Sequence, residues 1–218
     1  MGARMALNLF VDNDVILKLA QYGILERLPE LFSDQSEHVQ LIVLDSAKYK
    51  LLPRRSRLEL CGSEEVALQV EHFLDSATKL SPSVVDLNTL EIFNAAPGID
   101  AGEALLFAAA AGDDNGRVLT GDKRALSSLL AQDPMQLTSW LTNKLITLEA
   151  LIQGFAHLDL PAIQHMVRAN AGVDKALTNA FGVSAPASKD SVQAGLQSYI
   201  EHLRKSLGGL INSGPPFT

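Results

Sequence analysis

Short apolar, strand-like runs alternate with helix-periodic segments over the first 150 residues of this 218-residue chain, and that alternation constrains its fold most. Residues 7–11 (LNLFV), 41–44 (LIVL), 117–120 (RVLT) and 144–148 (KLITL) read as strands, with Val84 and Val85 as a minor one. Between them, residues 13–28 carry Val15, Ile16, Leu19, Ala20 and Ile24 at helical spacing. Ser63 with Glu64 and Glu65 starts a helix through Val66, Val70 and Phe73, and residues 87–95, 103–111 and 123–131 read as further helices. Strands and helices in alternation predict a parallel sheet covered on both faces: a three-layer α/β/α domain over residues 1–150. From residue 151 onward the strand signal stops. Segments 160–169, 174–181 and 191–207 are helical, 182–188 is a connector, and 212–218 is a frayed tail. Ile152, Phe155, Leu158, Ile163 and Met166, then Leu196, Ile200, Leu203 and Leu207, recur as apolar helix faces. Isolated helices of this length are marginal in water, so residues 151–218 are expected to pack as a helical region on the first domain.

Composition bounds the function. The net charge of −7 argues against a nucleic-acid coat protein with a broad basic face, but not against a nuclease whose own carboxylates hold metal. Cys61 is the only cysteine, which excludes an intrachain disulfide and a cysteine-based zinc site. No apolar stretch reaches the roughly 18 residues of a membrane span, and the N-terminus reaches Asp12 without a signal-peptide core, so a cytoplasmic protein is expected. Nucleotide-binding glycine loops and a Gly-x-Ser-x-Gly elbow are absent. His38, His72, His157, His165 and His202 lack metal-ligand spacing, and Trp140 reads as a packing residue.

Three acidic stretches stand where such a sheet would gather them. Val11-Asp12-Asn13-Asp14 and Thr120-Gly121-Asp122 follow strand-like runs, and Asp100-Ala101-Gly102-Glu103 opens the apolar helix EALLFAAAA. The carboxyl ends of parallel strands lie side by side and form the ligand crevice of open α/β sheets. Clustered carboxylates repel unless a hard divalent cation lies between them, which suggests magnesium or manganese. Each acid also has a structural explanation, since Asp is a favoured N-cap and Asp100-x-x-Glu103 has the form of a capping box.

The set resembles the PIN-domain family of metal-dependent ribonucleases. Residues 9–16 (LFVDNDVI) are similar to the family's opening strand with its terminal Asp. Residues 100–110 (DAGEALLFAAA) are similar to its later acidic helix start, and residues 118–125 (VLTGDKRA) to its strand ending in Thr-x-Asp. The resemblance covers roughly residues 5–150 and implies a metal-dependent endoribonuclease, toxin-like forms included, that hydrolyses phosphodiesters in RNA. It implies Asp12, Glu103 and Asp122 as catalytic metal ligands, Asp100 as a further ligand, and Mg2+ or Mn2+ as cofactor. Thr120 would orient a carboxylate or water. Apart from the resemblance, Lys123 and Arg124 follow Asp122 directly and read either as contacts for substrate phosphates or as decoration of an exposed helix face. An inhibitory protein partner and a homodimer are further expectations. One position departs: the family carries another Glu in the helix after the second strand, where this chain has Asp45-Ser46-Ala47-Lys48-Tyr49-Lys50-Leu51. A PIN-like binding or assembly module without catalysis is therefore the alternative.

A second enzymatic reading uses Asp12 as nucleophile and Asp14 as general acid, the opening signature of haloacid-dehalogenase-type phosphatases. That family wants a flexible turn after the second Asp and another acid past Gly121-Asp122, but Val15-Ile16-Leu17 and Lys123-Arg124-Ala125-Leu126 supply neither. Asp14 ranks below the other acids because an extended backbone through residues 12–14 would turn it to another face. The dense basic stretch around Lys48, Lys50, Arg54 and Arg55 reads either as an RNA phosphate contact or as a solvated loop around Pro53.

Overall fold

A computed structural model describes residues 6–34, 36, 38–132, 139–207 and 210–211. Strands β1 (Leu7–Val11), β2 (Val39–Leu44), β3 (Thr78–Leu80), β4 (Gly116–Thr120) and β5 (Leu145–Thr147) form one parallel sheet in the order β3-β2-β1-β4-β5. In β1, Leu7, Leu9, Phe10 and Val11 are all buried, as are Val118, Leu119 and Thr120 in β4. Near-continuous burial rather than alternation is what a parallel strand covered on both faces requires. The chain winds outward from β1 through β2 to β3, then returns to the other side of β1 for β4 and β5. The winding reverses between β1 and β4, so the carboxyl ends of those two strands open a crevice.

Helices α1 (Asn13–Gln21), α2 (Ala47–Leu51), α3 (Arg57–Cys61), α4 (Glu64–Ser76), α5 (Leu87–Asn94), α6 (Ala101–Ala111) and α7 (Lys123–Gln132) fill the connections. The expected three-layer α/β/α class is the observed one. Helix α6 is buried along most of its length through Ala104, Leu106, Phe107, Ala108 and Ala110, as its unbroken apolar run predicts. Ser63 caps α4 by accepting a hydrogen bond from the Val66 amide.

Four stretches differ from the sequence expectation. The helix predicted over residues 13–28 stops at Gln21, because Gly23 turns the chain at φ 71°, and a 3-10 segment, Leu25–Phe32, follows. Val84 and Val85 are not a strand: Pro82–Val84 is a single 3-10 turn and Val84 is 74 % exposed. The missing strand is β3, whose Thr78 and Lys79 face solvent and leave only Leu80 as an apolar signal. The basic stretch is not a plain loop either, since α2 and α3 form on either side of Pro53.

Leu148 opens α8 (Leu148–Ala169) directly from β5, and α9 (Lys175–Phe181) and α10 (Lys189–Leu207) follow. Asp159 breaks α8 at φ −152°, ψ 81°, where Pro161 two residues on forbids an uninterrupted helix and the Asp159 carboxylate caps the Ala162 amide at 3.1 Å. Leu158, expected on the buried face, lies beside this break and is 58 % exposed. Helix α8 packs on β5, and α10 packs on α7, α8 and α9. One hydrophobic cluster runs from Leu9 in the sheet to Phe155, Leu196 and Leu203 in these helices. The expected tail at residues 212–218 lies outside the described residues. Among the described residues, no helix is long and apolar enough to cross a membrane.

Candidate active site

Asp12 leaves β1 with extended backbone, φ −71° and ψ 148°, and its amide donates to the Leu119 carbonyl of β4 at 3.0 Å. Thr120, the last residue of β4, is buried; its hydroxyl donates to Asp12 Oδ2 at 3.5 Å and accepts from the Asp122 amide at 3.2 Å. The reversal of sheet winding thus brings Asp12, 108 positions away in sequence, onto the same threonine as Asp122. Asp100 caps α6 by accepting from the Gly102 and Glu103 amides at 2.7 and 2.8 Å, while Glu103 Oε2 accepts from the Asp100 amide at 2.8 Å. This is the capping box expected from the spacing. Asp122 likewise accepts from the amides of Arg124 and Ala125 at 2.7 and 3.2 Å at the start of α7.

These side chains line one cleft of about 600 Å³. Its wall carries six carboxylates, Asp12, Asp14, Asp100, Glu103, Asp122 and Asp174, and four cationic groups, Lys18, Lys50, Lys123 and Arg124. Two glycines let it close. A Cβ on Gly121 would run into the Asp14 carboxylate, and one on Gly102 would stand 2.8 Å from a Leu44 methyl and 3.5 Å from Lys50 Nζ.

Most of the acids have a cationic partner. Lys18 Nζ lies 2.9 Å from Asp14 and 3.2 Å from Asp174, Lys50 Nζ 3.4 Å from Asp100 Oδ2, and Arg124 3.2 Å from Asp122 Oδ2. Lys123 turns to Glu149 at 2.7 Å. Asp12 and Glu103 have no ion-pair partner among the described residues. Burial, and then the charges of Asp14 and Glu103, push the Asp12 carboxyl up from 3.8 to about 7. Burial, with Asp100 and Asp122 nearby, also raises Glu103. For Asp100, burial is outweighed by the Glu103 amide, Lys50 and the Gly102 amide, which hold it below the usual carboxylate range. For Asp122, burial is outweighed by the Arg124 side chain and the capping amides, with the same result.

Of the residues singled out from sequence, Asp12, Asp100, Glu103, Asp122, Lys50 and Lys123 line this cleft, and Thr120 supports it from beneath. Lys48 does not line it; its ammonium is on α4, 3.1 Å from Glu71 and 3.2 Å from Asp75. Arg54 and Arg55 are exposed and outside the cleft wall. Asp14 does not turn to another face: the helix starts at Asn13, and its first turn carries Asp14 over Gly121 into the cleft.

Three residues escaped the sequence reading. Lys18 and Asp174 come from mid-helix α1 and the N-cap of α9, where the local pattern says only helix face and cap. Glu149 is 2 % exposed and sits two residues beyond Thr147. Thr147 pairs in register with Thr120, so Thr147-Leu148-Glu149 repeats Thr120-Gly121-Asp122 on the neighbouring strand. That repeat was the available signal.

Among the described residues, no group of three or more His, Cys, Asp or Glu side chains forms a ready cation cage. Asp100, Glu103 and Asp122 each give a carboxylate oxygen to helix amides. A cage is not what Mg2+ requires. That ion keeps several waters and is usually held by one or two carboxylates together with substrate phosphate. Asp12 and Glu103, hard oxygen donors that line the cleft without a direct ion pair among the described residues, are the two that would hold such an ion; the charge of Arg124 acts on Glu103 from a distance. Comparison of the chain with protein-family models, with curated proteins and with solved structures finds no match.

Proposed function

We propose that this chain is a Mg2+- or Mn2+-dependent phosphodiesterase of the ribonuclease type, working through the cleft at the carboxyl ends of β1 and β4. One observation carries the reading: Asp12, buried and pushed up to about 7, lines the same cleft as Glu103, with no ion-pair partner for either among the described residues. A buried carboxylate without a counter-charge costs folding energy, and such a cost is retained where a ligand supplies the charge. The resemblance of residues 9–16, 100–110 and 118–125 to the PIN-domain family points the same way.

In this reading Asp12 and Glu103 hold the cation, and Thr120 fixes the Asp12 carboxylate through its hydroxyl. The ion would activate a bound water and polarise the scissile phosphate. Asp100 and Asp122 hold the starts of α6 and α7 so that both helices meet at the cleft. Lys123 and Arg124 line the cleft wall, where an RNA phosphate would compete with Glu149 and Asp122 for their charge. The phosphatase alternative asks Asp14 to act as an acid, yet its carboxylate is engaged by Lys18. The alternative of a non-catalytic binding module draws on the Lys50 ammonium held against Asp100.

The test is cleavage of a fluorescent single-stranded RNA, with thermal melting at millimolar Mn2+ and in EDTA. Mn2+-dependent cleavage lost in Asp12→Asn and Glu103→Gln is expected, with a melting temperature raised by Mn2+ in the parent protein only. Raised melting without cleavage would favour the binding module. No effect of Mn2+ on either readout would sink the reading.

A further inference from the structure

Resting on the reading above, we propose that the α2–α3 rim of the cleft is a binding track for single-stranded RNA, with the Tyr49 ring as a base-stacking platform and Arg54 and Arg55 as phosphate contacts. The cleft by itself is a poor holder of a polyanion. Its wall carries six carboxylates, and each of its cations, Lys18, Lys50, Lys123 and Arg124, already faces a carboxylate. Positive charge for an RNA backbone therefore has to come from beside the cleft. Residues 48–57 supply it, with five basic residues and no acidic one in a chain of net charge −7. Lys48 and Arg57 are paired with acids of α4, and Lys50 with Asp100. Arg54 and Arg55 are exposed and form no ion pair among the described residues.

Position ties these residues to the cleft. Lys50 and Leu51 at the end of α2 line its wall, and so does Leu60 in α3, so the residues between them run along its rim. Arg54 follows Leu51 by three residues, which keeps its Cα within about 11 Å of a wall residue. The rim is held in place. Cys61 is buried with its sulfur 3.7 Å from the Leu51 carbonyl, and Gln21 of α1 donates to the Leu60 carbonyl at 3.2 Å. A surface already ordered loses less entropy when it binds. Tyr49, beside Lys50 on α2, is 81 % exposed, and among the described residues no side-chain hydrogen bond or ring contact holds it. A free aromatic face close to unpaired arginines is the combination that holds single strands: bases stack on the ring whatever their identity, and guanidinium groups follow the phosphates. A duplex offers no free base face, and an acidic peptide would use the arginines and leave the ring idle.

The experiment is fluorescence anisotropy of a labelled oligouridine about ten nucleotides long, over a series of salt concentrations, in EDTA so that metal-dependent cleavage does not occur. The full chain is compared with Arg54→Ala/Arg55→Ala, Tyr49→Ala, Tyr49→Phe and the charge-matched Lys189→Ala/Lys205→Ala, with melting curves as the folding control. The arginine pair should weaken binding at least about tenfold. It should also lower the slope of log affinity against log salt by about 1.4, from two contacts at about 0.7 each on a single strand. Tyr49→Ala should weaken binding at least about fivefold with the slope unchanged, and Tyr49→Phe should keep the parent affinity. The lysine pair should match the parent protein. No binding by the parent, binding that none of the variants weakens, or a lysine pair as weak as the arginine pair would each overturn the track. A loss in Tyr49→Phe equal to that in Tyr49→Ala would overturn the stacking role. Duplex RNA or a polyglutamate peptide bound as tightly as oligouridine would overturn the single-strand assignment, the peptide making the rim an acidic-protein surface. Cleavage in Mn2+, measured separately, tells the two proposals apart. Binding as expected with no cleavage would support the track and overturn the activity, whereas cleavage with binding indifferent to these substitutions would do the reverse.

Discussion

The floor and the rim of the cleft use the same residue types for different ends. On the rim, Asp100 and Asp122 accept two helix amides each and meet Lys50 and Arg124, so their carboxyls are held below the ordinary range. On the floor, Asp12 caps nothing with its side chain, has Thr120 as a neutral partner, and is pushed up to about 7. Rim acids are therefore stabilised by the fold, whereas the floor acid is a charge the fold tolerates. Proximity in a cleft does not make carboxylates equivalent, because amides and ammonium groups lower a carboxyl while burial beside other acids raises it.

The largest effect that separates the two is in the pH dependence of stability. A carboxyl whose folded value lies above its unfolded value binds more protons when folded, so stability falls as pH rises between the two. For Asp12 that window runs from about 4 to about 7, and the lost stability is on the order of 4 kcal/mol if the burial is fully maintained. In EDTA, Asp12→Asn should melt well above the parent protein at pH 8 and close to it at pH 4. Parallel melting curves for the two across that range would put Asp12 with the rim acids.

Metal affinity comes next. Removing a ligand of the proposed cation should weaken Mn2+ binding at least about 100-fold, as judged from the 10- to 100-fold losses seen for supporting groups. Asp12→Asn and Glu103→Gln should both show this by calorimetry, and Asp122→Asn should lose distinctly less. An Asp122 variant as weak as Asp12→Asn would place Asp122 on the floor and break the division.

Packing between floor and rim is probed at Gly121. Its missing Cβ is the space taken by Asp14, so Gly121→Ala should cost about 1–3 kcal/mol by overpacking. If chemical denaturation finds it neutral, the Asp14 carboxylate is free to move aside.

The smallest effect belongs to the rim caps. Asp100→Ala should cost about 1 kcal/mol as a lost N-cap, by the same amount in EDTA and in Mn2+. A loss confined to the Mn2+ condition would make Asp100 a ligand before it is a cap.

The sequence determined the elements whose signals are local. Leu7–Val11 and Gly116–Thr120 are legible as buried strands, and α6 as a buried helix behind an Asp100-x-x-Glu103 cap. Periodicity, caps and unbroken apolar runs act over a few residues, so they can be read without the rest of the chain. β3 was not legible, because Thr78 and Lys79 carry no buried face, and neither was the end of α1, which one glycine at positive φ decides. Asp12, Asp100, Glu103 and Asp122 were recognisable as acids at element ends. Their separate roles were not, since a carboxylate's charge state depends on what the fold brings beside it. Only the tertiary structure paired β1 with β4, turned Lys50 inward and Lys48 outward, and brought Asp174 from the last third of the chain onto Lys18. Each of these is a long-range contact set by strand order and helix packing, and no local pattern of residues encodes it.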